Sequence, residues 1–115
     1  MDRDAVLDCY KRAVAKHDDI KVKGAKTSYT AINGNMFSFI DDQARICLRF
    51  SEKRKAELNK FYGSTDVLQY GAVMRGYVSF SDEVIVDETT LDELFSESLE
   101  FAKNLKPKPT KRSPK

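Results

Sequence analysis

Residues 29–50 read YTAINGNMFSFIDDQARICLRF, and they predict three β-strands joined by two tight turns. The Asn-Gly pair at 33–34 is the strongest local signal, because both central residues of a type I′ hairpin turn need a positive φ. The aromatic and branched side chains at 36–40 favour a strand after this turn. Asp-Asp-Gln at 41–43 then supplies a second turn. This order predicts an antiparallel sheet.

The third predicted strand, residues 45–50, alternates between two sets of side chains. One set is Ile46, Leu48 and Phe50, and the other is Arg45, Cys47 and Arg49. A period of two predicts that the first face lies on a core and that the second faces water or a partner. We also expect Met36 or Phe37 to lie in the core beside Ile46 and Leu48.

Three helices are predicted, at the N-terminus, in the middle and at the C-terminus. Residues 4–17 carry an apolar stripe at helical spacing. Ser51 suits the N-cap of a helix over 52–62, with Ala56, Leu58, Phe61 and Tyr62 expected to face inward and Gly63 expected just beyond its end. Thr90-x-x-Glu93 has the form of a capping box at the start of the last helix, which Pro107 would end.

The remaining segments are less regular. Residues 20–23 alternate and predict a short edge strand, and 77–80 predict a main strand. Residues 64–76 indicate a loop, and 82–87 fit either a turn or a short strand. The chain is therefore expected to have an α+β fold, with an antiparallel sheet of about four to six strands.

The charge of the chain is divided between its body and its C-terminal end. The 115 residues carry 20 basic and 18 acidic side chains, but 103–115 hold six basic residues and no acid. The other 102 residues therefore have a formal charge of −4. We predict one domain over 1–105 and a disordered basic tail over 106–115, which contains all three prolines and no apolar residue.

Several broad classes of protein are not expected from this sequence. It has no apolar run of about 18 residues, so no membrane-spanning helix is predicted. Residues 1–4 do not begin a signal peptide, and the two cysteines, Cys9 and Cys47, are far apart. We therefore expect a cytoplasmic protein, either a monomer or a weak dimer.

Five short segments resemble the TfoX N-terminal domain family in its short, single-domain form. They are NGNMF at 33–37, ICLRF at 46–50, MRGYV at 74–78, SLEFA at 98–102 and KPKP at 106–109. The resemblance covers about residues 5 to 110 and implies an antiparallel sheet backed by helices. The better-known two-domain members of the family are linked to the regulation of DNA-uptake competence.

Two groups of basic side chains are candidates for nucleic-acid or phosphate binding. The first is a patch formed by Arg45, Arg49, Lys53, Arg54, Lys55 and Lys60. The second lies in the tail and comprises Lys106, Lys108, Lys111, Arg112 and Lys115. The alternative for the patch is an ordinary solvated surface, because Glu52 and Glu57 lie among its residues. Any DNA binding would use phosphate contacts and depend strongly on salt.

An acidic run provides the opposite kind of candidate surface. Its members are Asp82, Glu83, Asp87, Glu88, Asp92, Glu93, Glu97 and Glu100. We expect the solvated face of the last helix, and the alternative is a docking surface for a basic partner.

No catalytic, cofactor-binding or metal-binding residues are predicted. The single histidine, His17, is expected near the end of the first helix, and neither cysteine has metal-ligand spacing. Cys9 is expected in the core. A thiol-dependent enzyme at Cys47, activated by Arg45 and Arg49, is a remote alternative. The leading hypothesis is a non-enzymatic binding or regulatory module for an unknown protein, with a nucleic-acid accessory protein as the alternative.

Overall fold

An antiparallel sheet with helices on one face forms the centre of the computed structural model, which describes residues 1–64, 66–69 and 71–108. In chain order, the elements are α1 (Arg3–Ala15), β1 (Tyr29–Ile32), β2 (Asn35–Ile40), β3 (Ile46–Arg49), α2 (Glu52–Tyr62), β4 (Leu68–Gln69), β5 (Ala72–Val73), β6 (Tyr77–Phe80), α3 (Asp82–Ile85) and α4 (Glu88–Lys103). The main sheet has the strand order β1-β2-β3-β6, and β4 pairs with β5. The predicted α+β fold is confirmed.

The turn between β1 and β2 has the predicted geometry. Asn33 has a φ of 53° and Gly34 a φ of 79°, as a type I′ turn requires. Thr30 pairs with Ser38 and the next residue of β1 pairs with Met36, so Phe37 is an extra residue in β2. This bulge turns both Phe37 and Ser38 toward the helices. Phe37 lies in the core with the apolar residues of β3, as predicted.

Helices α1 and α4 cover one face of the sheet through an apolar core with a few bonded polar groups. The Tyr10 hydroxyl lies 2.5 Å from Ser38 Oγ, which is also bonded to Thr30 Oγ1. Burial raises the pKa of Tyr10, so its hydroxyl stays neutral. On α4, buried Ser98 Oγ accepts from Arg49 N at 3.1 Å and lies 2.7 Å from Arg49 O. These bonds join the helix layer to the backbone of the sheet.

Helix α2 has the predicted ends but not the predicted buried face. Ser51 Oγ accepts from the backbone of the first turn at 3.2 Å, and Gly63 ends the helix with a φ of 69°. Leu58 is buried, and Tyr62 packs against the core. Ala56 and Phe61 were expected to face inward, but both are exposed, Phe61 to 79%. The prediction was wrong for these two because α2 packs mainly against β6 through its other side.

The last helix begins earlier than its predicted capping box. Asp87 is the N-cap, and its carboxylate accepts from Thr90 N at 3.1 Å. Thr90 therefore lies inside α4, and the assignment of Thr90 and Glu93 as a capping box was wrong. Residues 82–87, expected to be a turn or a strand, contain the short helix α3.

Two other segments also differ from their predictions. Residues 20–23 do not form a strand, although Lys23 makes one bridge with Tyr29 at the edge of the sheet. Residues 64–76, predicted as a loop, include the short hairpin of β4 and β5, which we call the flap. Its two strands are only two residues long, too short for a period of two to be recognised.

The face of the sheet opposite the helices is largely covered. Phe39, Cys47 and Tyr77 are exposed by 1%, 0% and 4%, and Val67 from the start of the flap segment packs against them. The Tyr77 hydroxyl donates to Met36 O at 2.7 Å. The prediction that this face meets water or a partner was therefore wrong at Cys47. The period of two identified the two faces correctly but could not show that the flap covers the second one.

The segment after α4 returns to the first hairpin. Lys108 N donates to Asn33 O at 2.8 Å, and Asn35 Nδ2 donates to Lys106 O at 3.1 Å. The start of the segment that was expected to be disordered therefore lies against the β1–β2 turn. Residues 109–115 lie outside the described part of the chain. Among the described residues, no helix is long and apolar enough to span a membrane.

Candidate ligand-binding site

The predicted basic patch is partly neutralised by carboxylates within the fold. Arg54 Nε lies 2.7 Å from Glu97 Oε2, and its terminal nitrogens also bind Glu97 and Glu57. The hydrogen bond to Glu97 is the main cause that raises the pKa of Arg54. Arg45 pairs with Asp41 at 3.2 Å, and buried Lys55 lies 3.6 Å from Asp66.

Three cations of the patch have no ion-pair partner among the described residues, namely Arg49, Lys53 and Lys60. Arg49 is on β3, two residues after Cys47, whereas Lys53 and Lys60 are exposed residues of α2. In the tail, the backbone of Lys106 and Lys108 contacts the hairpin, while Lys111, Arg112 and Lys115 lie outside the described residues.

The acidic run is mostly paired within the protein as well. Lys16 of α1 binds both Glu88 and Asp92, and these bonds raise the pKa of Lys16 and lower that of Glu88. Asp82 pairs with the N-terminal amine at 2.6 Å. Glu97 pairs with Arg54, as described above. This arrangement explains the run as a set of ion pairs that join α1, α2 and α4.

Cys47 lacks the surroundings of a reactive thiol. It is fully buried, and Asp41 Oδ2 lies 3.7 Å from its sulfur. Burial, followed by the charge of Asp41, raises the pKa of Cys47 well above its usual range, although Arg45 acts in the opposite direction. The arginines of this face therefore do not produce the thiolate that the enzyme alternative needs. Cys9, expected in the core, is only half-buried at its edge.

This difference between the cysteines predicts the outcome of thiol labelling. At pH 8, the native protein should react with a thiol reagent at Cys9, while Cys47 should react at least about 100-fold more slowly, because it is buried and protonated. A Cys9→Ser variant should therefore be almost unlabelled until denaturant is added. Rapid labelling of native Cys9→Ser at Cys47 would contradict the assignment of an inert thiol.

His17 lies against helix α4. The His17 ring lies 5.5 Å from that of Phe95, and its Nε2 is 3.4 Å from Ser96 Oγ. In the described part of the chain, no group of His, Cys, Asp and Glu could hold a metal ion.

A cleft with a volume of about 390 Å³ and a mainly apolar lining lies between the sheet and the flap. We call it the flap cleft. Tyr29, Met36 and Phe39 form its floor on the face of the sheet opposite the helices, and Met74 and Gln69 belong to the flap side. The loop over 24–27 lines the remaining side. Its size and mainly apolar lining are typical of sites for small molecules.

Gln69 stands at the boundary between this cleft and a smaller polar one. The second cleft has a volume of about 230 Å³, shares Lys26, Thr27 and Gln69 with the first, and also reaches Arg3 and Asp42. Gln69 is only 9% exposed, and its Oε1 has no hydrogen-bond partner in the described part of the chain. A buried acceptor without a partner is unfavourable, which makes this atom a candidate contact for a ligand.

A larger groove between α2 and α4 is a weaker candidate. It has a volume of about 440 Å³ and is lined by Leu58, Phe61 and Leu94 together with charged side chains. Arg54 and Glu97, which border it, already bind each other. Among the described residues that line it, no buried polar atom lacks a hydrogen-bond partner.

Two comparisons, with protein-family models and with curated proteins, provide no relative for this chain. No protein-family model matches it. No curated protein matches it either. The resemblance to the TfoX N-terminal domain family therefore stays a prediction, and the assignment of a site depends on the geometry described above.

The sequence reasoning did not identify the flap cleft. Its residues come from four separate segments, and Met36 and Met74 resemble ordinary core residues in a linear sequence. The sequence did not identify Gln69 either, because its burial beside Leu68 on a short strand is visible only in the folded structure. Leu68 is 59% exposed while Gln69 is buried, the reverse of what their polarity suggests.

Proposed function

We propose that this protein is a non-enzymatic binding module whose ligand is a small, mainly apolar molecule held in the flap cleft. One observation carries the proposal. The fold leaves a cleft of about 390 Å³, whose floor is formed by Tyr29, Met36 and Phe39 of the sheet and whose side is bordered by the flap. Tyr29 and Met36 remain half-buried there, so a ligand would remove further apolar surface from water.

The chemistry of the lining favours binding over catalysis. Among the described residues of the wall there is no carboxylate, imidazole or thiol, and Lys26 is the only cation. General acid–base catalysis commonly uses those missing groups. The two methionines can adjust their side chains to ligands of different outline.

A regulatory role and a cytoplasmic location belong to the same proposal. The flap strands are short and pair mainly with each other, so a ligand beneath them could change the surface that they present to a partner. Both cysteines are free thiols, as is usual in reducing compartments. The nucleic-acid alternative would depend on the basic tail together with Arg49, because Arg54 of the same patch is paired with Glu97. No contact among the described residues favours it.

Blocking the cleft should abolish ligand binding. A panel of bicyclic hydrocarbons such as indene should stabilise the wild-type protein by about 1.4 kcal/mol when the free ligand is at ten times Kd. The corresponding increase in Tm is roughly 5 °C. Met74→Trp places a larger side chain in the cleft wall and should remove this increase.

Val73→Trp provides the matched control, because Val73 precedes Met74 in the same hairpin and is 51% exposed. It should retain the wild-type response. The Tm of each variant without ligand shows whether the substitution itself has disturbed the fold. The proposal fails if no hydrocarbon stabilises the wild type, or if Met74→Trp responds as strongly as Val73→Trp.

A further inference from the structure

We propose that the flap cleft selects an aromatic ligand carrying one N–H or O–H donor, which forms a hydrogen bond with Oε1 of Gln69. This inference rests on the proposed function and adds the chemical class of the ligand. The expected ligand has a bicyclic ring with a single hydrogen-bond donor at one edge, and indole is the simplest probe of this class.

Strand β4 buries its polar residue and exposes its apolar one. Its two residues, Leu68 and Gln69, point to opposite sides of the flap, as successive residues of a strand do. Leu68 is directed to solvent at 59% exposure, and Gln69 is 91% buried. A flap that only shielded the sheet would be more stable with the leucine inside, because apolar burial is favourable and amide burial is not. The observed orientation therefore indicates a polar function inside the cleft.

The side-chain oxygen of Gln69 needs a hydrogen-bond donor. Its Oε1 is buried and lacks a hydrogen-bond partner among the described residues. The backbone of β4 is already used in pairing with β5, where Gln69 faces Ala72. An amide oxygen accepts hydrogen bonds but cannot donate them, so the group that satisfies it must be a donor. A ligand with an N–H or O–H would remove the unfavourable state of this atom.

The apolar residues of the cleft suit an aromatic ring. Tyr29 offers an aromatic surface, and Met36 and Met74 offer thioether sulfurs, which make favourable contacts with aromatic rings. Because Gln69 also borders the polar cleft that contains Lys26 and Arg3, the donor edge of the ring should lie at that boundary. The ring itself should lie over Tyr29 and Met36.

Indole and indene test this selection directly. They have nearly the same shape, but indole has an N–H where indene has a CH₂ group. Kd is measured for each by titrating the ¹³C-methyl resonance of Met74, with Met1 as the internal reference outside the cleft. We expect the wild type to bind indole at least about tenfold more tightly than indene, the usual effect of a buried donor meeting an acceptor.

Two glutamine substitutions complete the experiment. Gln69→Leu should bring the two Kd values within about twofold of each other, because no acceptor remains. Gln43→Leu is the same substitution in the exposed turn before β3, outside the cleft, and should retain the tenfold preference.

Each possible result separates the two proposals. Equal binding of indole and indene by the wild type would overturn the proposed hydrogen bond to Gln69 and leave the cleft as an apolar site. A preference that persists in Gln69→Leu would also overturn it. If neither probe shifts Met74, the proposed function itself fails. The wild-type comparison stands even if Gln69→Leu does not fold.

Discussion

Phe95→Ala should lower the free energy of unfolding by about 3–5 kcal/mol. The ring is fully buried at the centre of the helix layer, with centroids 6.4 Å from Tyr10, 5.5 Å from Phe37 and 5.5 Å from His17. Its removal would leave a cavity between α1, α4 and the bulge of β2. Since domains of this size are stable by only about 5–15 kcal/mol, the variant should unfold at much lower denaturant concentration.

Phe61→Ala is the matched control for this substitution. Phe61 also lies on a helix, but it is 79% exposed and contacts one ring, that of Tyr62. The expected loss is below about 1 kcal/mol, because little surface is returned to water. Urea unfolding followed by circular dichroism measures both variants. Similar losses for Phe95→Ala and Phe61→Ala would show that the core is not centred on Phe95.

Gly34→Ala should lower the free energy of unfolding by about 2–3 kcal/mol, the second large effect. Gly34 has a φ of 79°, where an L-residue is strained by roughly 1–2 kcal/mol. In addition, a Cβ at this position would lie 2.2 Å from Lys108 O. The segment after α4 would have to move, and the bond from Lys108 N to Asn33 O would be lost, at about 1 kcal/mol.

Gly71→Ala separates the two contributions. Gly71 has nearly the same φ, 78°, but a Cβ there would meet no atom within 4 Å. Only the backbone strain of roughly 1–2 kcal/mol should appear. In a chain truncated after Leu105, the loss of unfolding free energy caused by Gly34→Ala should fall to the loss caused by Gly71→Ala. An equal cost in the full-length and truncated chains would mean that residues 106–108 do not hold the hairpin.

The main sheet could be predicted because its signals are local. Asn33-Gly34 requires a specific turn, and the alternation from Ile46 to Phe50 identifies the core face. The ends of α2 follow from Ser51 and Gly63 for the same reason. Each of these features depends on residues close together in sequence, where backbone preference and polarity act directly.

The flap and its cleft could not be predicted, because they depend on contacts between distant segments. Strands β4 and β5 are shorter than any usable period, and their placement depends on Val67 packing against Phe39 and Tyr77. The start of α4 was misplaced for another reason. Asp87 and Thr90 both suit an N-cap, and α3 immediately before it favours the earlier residue.

The predicted basic patch shows what charge alone cannot reveal. Arg54 and Glu97 lie 43 positions apart, yet they form a two-point ion pair. Lys55 and Asp66 are joined across the end of α2. A linear count of basic residues therefore overstated the charge available to a phosphate backbone, and it gave no indication of an apolar site on the other face of the sheet.

The most direct test of the flap cleft uses the three methionines of the chain as reporters. In a sample with ¹³C-labelled methionine methyl groups and saturating indene, intermolecular NOEs should connect the ligand to Met36 and Met74, which line the cleft. Met1, which is paired with Asp82 through its amine, should show none. The absence of NOEs to Met36 and Met74, or equal NOEs to Met1, would contradict the proposal that this cleft is the binding site.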